Sequence, residues 1–95
     1  MKIAITGAGG LVGSHLARHF ARSHEVLALK HGDLEITDEA AVNRVIVRAE
    51  PSLVINCAVN AVDDCEHDPE RARAINAEGP RNLAQAASRV GAELI

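Results

Sequence analysis

Gly7, Gly10 and Gly13 stand three apart in ITGAGGLVGSHL, residues 5–16, with Gly9 among them. An apolar run precedes them and a helical pattern follows. In that setting each glycine has its own use. Gly7 permits a tight turn, Gly10 lets the backbone come close to a pyrophosphate, and Gly13 lets the next helix pack closely on a sheet. Free amides at the helix start, at the positive end of its dipole, then face an anion. The chemistry is the holding of a dinucleotide by its phosphates. The competing reading is a strand-to-helix turn that uses glycine for geometry alone. A Walker loop is excluded, because no Gly-Lys-Ser/Thr follows.

Elements must position such a turn, and their pattern is legible. KIAIT, 2–6, reads as a buried strand. Leu11, Val12, Leu16, Phe20 and Ala21 recur at a helical period, giving a helix over 11–22. EVLAL, 25–29, is a second buried strand, and DLEIT, 33–37, a candidate stub of another. Thr37 and Asp38 mark a helix start, Ala40, Ala41, Val45, Ile46 and Ala49 give that helix an apolar face, and Pro51 stops it. SLVINCAV, 52–59, is a further strand. Asp68 as cap and Pro69 at the first position open a helix that reaches Ala87 or beyond, with a kink expected at Gly79-Pro80. Gly91 ends it and AELI begins one more strand. Strand and helix alternate throughout, which predicts an α/β fold: a doubly wound parallel sheet of Rossmann type, about four strands and three helices.

Composition narrows the function classes. The chain has 95 residues, room for one small domain. It is 47% hydrophobic with Phe20 as its sole aromatic, which argues against a stacking platform for single-stranded nucleic acid. Net charge is −3 with both signs interspersed, so no nucleic-acid partner is expected. No apolar stretch approaches about 18 residues, so no membrane partner is expected either. Cys57 and Cys65, eight apart, fit no zinc spacing, and the cytoplasm is the expected compartment.

The end of the second strand bears on which dinucleotide is held. An acid there accepts hydrogen bonds from the ribose hydroxyl and repels a 2′-phosphate; a base does the opposite. Here Lys30 and His31 follow EVLAL, with no acid until Asp33. NADP(H) is therefore favoured and NAD(H) possible, the competing reading being a solvated Lys30.

MKIAITGAGGLVGSHLA, DLEITD, VINCAVNAVDDCE and INAEGPRNLAQAA together resemble the start of an extended short-chain dehydrogenase/reductase, whose mark is TGxxGxxG. Within that superfamily the chain is similar to the dTDP-4-dehydrorhamnose reductase group, over nearly all its length. The resemblance implies a pyrophosphate turn of Gly7, Gly10, Leu11, Val12 and Gly13. Glu35 and Ile36 match the acid-plus-aliphatic pair beside the adenine, where relatives more often have Asp. Cys57, Ala58 and Val59 match the small residues along the cofactor. Val62 is the implied substrate contact, although the aromatic-Thr pair common after this strand is missing. Asn76 matches a helix asparagine that supports the active-site backbone and water in related reductases.

The superfamily works through a Tyr-xxx-Lys pair, in which tyrosine handles the proton and lysine lowers its pKa. This chain has no tyrosine, so no catalytic residue is assigned. The resemblance implies that residues 1–95 are the N-terminal NAD(P)-binding portion of a reductase of nucleotide-linked 4-keto sugars, truncated before the catalytic half. The alternative is a non-catalytic NADP-binding regulatory subunit resembling the methionine adenosyltransferase beta subunit. Partners implied are the nicotinamide dinucleotide and, in the complete enzyme, a nucleotide-sugar. The open last strand predicts marginal stability alone, or a homo-oligomer.

Other clusters are read as structural. His15 and His19 have the spacing of a metal pair but no third ligand, so they are expected to face solvent, and no metal site is assigned. Cys57 is expected to be a small buried residue rather than half of a redox pair. Asp63, Asp64, Glu66 and Asp68 are expected in a solvated capping loop rather than a carboxylate metal site. Arg71, Arg73 and Arg81 are expected on a solvated helix face.

Overall fold

A computed structural model describes residues 1–58 and 68–95. The expectations for Val59, Val62, Asp63, Asp64, Cys65 and Glu66 lie outside the described residues. The elements run β1 (Lys2–Thr6), α1 (Leu11–Phe20), β2 (Glu25–Leu29), α2 (Glu39–Ala49), β3 (Leu53–Asn56), α3 (Pro69–Arg73), a π-helical turn (Ala74–Glu78), α4 (Gly79–Val90) and β4 (Glu93–Leu94). The strands form one sheet in the order β2-β1-β3-β4, every pairing parallel. This is the expected Rossmann-type portion.

Helices on both faces explain why the strands are apolar runs rather than alternations. Ile3 and Ile5 of β1 pack with Ile55 against Leu16, Ala17 and Phe20 of α1. Ala4, between them, faces the other way, into a cluster with Val42 and Ile46 of α2 and Leu83, Ala86 and Ala87 of α4. Ile3, Ala4 and Ile5 are fully buried, so β1 is the spine of the domain. Each isoleucine buried there stabilises by about 1.5–3 kcal/mol relative to exposure.

Helix boundaries follow their caps. The Asp38 side chain accepts from Ala41 N at the start of α2, and Asp68 accepts from Arg71 N at the start of α3, with Pro69 in the first turn. Gly91, with φ +69°, ends α4.

Two expectations change, and the long helix from Pro69 runs on past Ala87 as expected, with one added feature. DLEIT forms no strand: Asp33 and Leu34 amides donate to Lys30 O, and Asp33 Oδ2 accepts from Lys30 N at 3.0 Å, so the chain curls into a turn. β3 stops at Asn56 because the Asn56 side chain takes the Ala58 amide at 3.1 Å, turning the chain out of the sheet. At Gly79-Pro80 the helix continues. The π-helical turn over Ala74–Glu78 widens the coil ahead of Pro80, which cannot donate to the preceding turn and needs room for its ring.

Candidate functional site

β1 delivers the chain into the glycine turn, and the neighbouring strands hold it there. Ala8 N donates to Leu29 O at 3.1 Å, at the end of β2, and Cys57 N donates to Thr6 O at 3.1 Å, just after β3. Gly7 has φ +65°, and a Cβ there would lie 2.5 Å from the Cys57 carbonyl carbon. Only glycine suits that conformation and that approach. Gly10 N donates to Gly7 O, closing the turn. Gly13 is buried, and a Cβ on it would collide with the Gly7 carbonyl.

The first helical bond of α1 runs from Ser14 N to Gly10 O, so the amides of Leu11, Val12 and Gly13 have no helix carbonyl to meet. No side chain caps this end and no acid stands in its first turn. The positive end of the dipole is therefore left for an external anion. Leu11 and Val12 are 84% and 63% exposed beside it.

The turn opens onto a cleft of about 230 Å³. Gly7, Gly10, His31, Leu34, Glu35, Ile36, Cys57, Ala58 and Ile75 line it. Such a volume is below the roughly 300–1,000 Å³ of a whole small-molecule site, and suits one end of an extended ligand. Seven of the implied site residues thus meet in one cleft: Gly7, Gly10, His31, Glu35, Ile36, Cys57 and Ala58.

Glu35 is the electrostatic centre of the rim. Its Oε1 accepts from Thr37 Oγ1 at 2.9 Å, and its Oε2 accepts from Arg71 Nη2 at 3.0 Å. His31 Nε2 lies 2.5 Å from the same Oε2 and donates to it in the Nε2–H form. Burial alone pushes the carboxyl up, but the bonds from Arg71, Thr37 and His31 outweigh it and lower the pKa from 4.5 to about 2. A depressed carboxyl contributes stability that is fully present above its unfolded value and lost as pH falls through the folded one. The Tm difference between wild type and Glu35→Gln is therefore expected to be constant above pH 4.5 and to shrink toward pH 2. A difference independent of pH over that window would contradict the network.

Lys30 does not line the cleft; it lies along the glycine turn. Its Cγ would be 3.6 Å from a Cβ at Gly9, and its side chain is exposed. Burial pushes the Cys57 thiol up, which fits a small packing residue and not a reactive thiolate. His15 and His19 are exposed on α1, and the described residues contain no cluster able to hold a metal ion. Among the described residues, no helix is long and apolar enough to cross a membrane. Asn76 is exposed in the π-helical turn.

Arg71 is exposed, as expected of a solvated helix face, but it also pairs with Glu35, a partner the sequence does not reveal. Nothing local in α3 signals this, because the partner is 36 positions away. Asn56 and Asn82 were also missed. Asn56 Oδ1 accepts from Thr6 Oγ1 at 2.7 Å and from Ala58 N, tying the ends of β1 and β3 together under the turn. Asn82 Nδ2 donates to Ile36 O at 2.9 Å, fixing the Ile36 backbone in the cleft wall. A signal existed for Asn82, a polar residue beside Leu83 on a face that Ile75 and Ala86 make apolar.

A family model described as the RmlD substrate binding domain matches residues 1–95. The dTDP-4-dehydrorhamnose reductase of Mycolicibacterium smegmatis is 51% identical over 96 residues, covering 99% of this chain and 29% of that protein. A solved dTDP-4-dehydrorhamnose reductase from Clostridium acetobutylicum superposes with a TM-score of 0.92 at 46% identity, over 99% of this chain and 34% of that one. Another, from Bacillus anthracis in complex with NADP, gives 0.91 at 34% identity, over 98% and 34%. The chain spans about three tenths of the length of the curated relatives it matches.

Proposed function

The chain belongs to the RmlD substrate binding domain family, and from that premise we propose that its 95 residues hold the adenosine-pyrophosphate part of a nicotinamide dinucleotide for a reductase of nucleotide-linked 4-keto sugars. The observation that carries this is the uncapped start of α1, whose N-cap residue Gly10 lines the cleft together with Gly7. In this reading the pyrophosphate meets Gly10, Leu11, Val12 and Gly13, and the adenine enters between Ile36, Ala58 and Ile75. The bound cofactor supplies the hydride for a sugar carbonyl. The chain itself contributes binding and orientation, since it has no tyrosine to donate the proton. Pure 95-residue protein with a dTDP-4-keto sugar and NADPH is expected to show no turnover above background; turnover abolished by Gly10→Val would contradict this.

NADP(H) is the favoured cofactor and NAD(H) is possible. Support comes from the place of Lys30 beside Gly9 and from the NADP bound by the Bacillus anthracis relative. A charge-assisted contact of about 1.5–3 kcal/mol corresponds to roughly ten- to a hundredfold in affinity. Wild type is expected to bind NADPH more tightly than NADH by that order, and added salt to narrow the gap. Lys30→Asp is expected to reverse the preference. Equal affinities in wild type, or an unchanged ratio in the variant, would remove Lys30 from the reading. A nucleotide-sugar partner and a cytoplasmic setting go with this function. The regulatory-subunit alternative is not favoured, because the relatives reported above are named as reductases.

A further inference from the structure

Arg71 stands on α3, yet its guanidinium crosses the cleft rim to the turn after β2. Its Nη2 donates to Glu35 Oε2 at 3.0 Å and lies 3.3 Å from His31 Nε2. Arg71 is 45% exposed and Glu35 31% exposed, so the pair adds little to stability. Its consequence is orientation. Arg71 and His31 occupy Glu35 Oε2, while Thr37 takes one of the two lone pairs on Oε1. The carboxylate is thereby fixed in direction with one acceptor site left on Oε1. It lines the same cleft as the apolar side chains of Leu34, Ile36, Ala58 and Ile75. A heterocycle held among those apolar groups would meet a fixed carboxylate, which accepts from an amino group and repels a carbonyl.

We infer that Arg71 is a positioning residue for the adenine end of the dinucleotide, holding Glu35 so that the site accepts a 6-amino purine and discriminates against a 6-oxo purine. This rests on the proposed dinucleotide function. The contact is a single charge-assisted bond from Nη2 to Oε2, and with the Thr37 bond to Oε1 it holds both carboxylate oxygens in place.

The test compares NADPH with its 6-oxo analogue, in which hypoxanthine replaces adenine. Both are titrated by calorimetry into wild type, Arg71→Ala and Arg71→Lys, with a thermal melt of each protein. Wild type is expected to prefer the amino form by roughly tenfold, the value of one hydrogen bond to a charged acceptor. Arg71→Ala is expected to bring the ratio near one with only a modest fall in Tm, since the pair is partly exposed, and Arg71→Lys to recover the ratio in part. A role in structure alone would move the Tm, or both affinities together, and leave the ratio intact. If wild type binds both forms and Arg71→Ala keeps the wild-type ratio, the assignment of Arg71 is overturned and the dinucleotide reading stands. If wild type binds neither form while folded, both fall.

Discussion

Gly10→Val is expected to abolish dinucleotide binding in a protein that still folds. Gly10 has φ −80° and ψ 175°, extended backbone that valine adopts readily. A Cβ at Gly10 would meet only the Gly7 carbonyl oxygen, at 3.5 Å, an ordinary contact. The folding cost is that of placing a poor residue at a helix N-cap, about 1 kcal/mol. The binding cost is far larger. Valine fills the space that a pyrophosphate must enter to reach the amides of Leu11, Val12 and Gly13. Losing two or more charge-assisted bonds lowers affinity by roughly a hundredfold or more. Calorimetry with NADPH, beside a circular dichroism melt, checks both halves. A folded variant that binds like wild type would show that the turn serves geometry alone.

Gly13→Ala should do the reverse, damaging the fold before any ligand is considered. On an exposed helix, glycine to alanine gains up to about 1 kcal/mol. At Gly13 the new Cβ collides with the carbonyl of Gly7 and comes within 3.0 Å of Ala8 Cα. Both obstacles are backbone, and Ala8 and Cys57 amides pin that backbone to Leu29 and Thr6. Neither α1 nor the turn can yield alone. We expect a loss of about 3 kcal/mol or more, which for a domain of this size lowers Tm by roughly 12–24 °C. Thermal and urea melts measure it directly. A Tm at or above wild type would mean that α1 does not need Gly13 to approach the turn.

Features set by local chemistry were legible in the sequence. β1 and β2 match the apolar runs residue for residue, and Asp38, Asp68 and Gly91 cap helices as their types require. The glycine turn was legible because each glycine answers to a different local constraint, and those constraints meet in a strand-turn-helix. What escaped depends on tertiary partners. DLEIT has a strand-like alternation, but Leu34 and Ile36 are buried beneath α2 and α4 while the Asp33 carboxylate satisfies the Lys30 amide. Arg71 carries no mark that separates it from Arg73 until α3 is set opposite Glu35. Asn56 closes an apolar strand, and its task appears only when Thr6 is brought beside it by the β1–β3 register.

The central claim is that the cleft at the start of α1 holds the adenosine-pyrophosphate end of a nicotinamide dinucleotide. The most direct measurement is a titration of NADPH into the ¹⁵N-labelled 95-residue protein, followed by amide NMR. Saturable shifts are expected at Gly10, Leu11, Val12 and Gly13, with a second group at Glu35, Ile36 and Ala58, and little change at His15 or His19 on the exposed face of α1. A folded spectrum without saturable shifts, or with shifts centred away from the glycine turn, would contradict it.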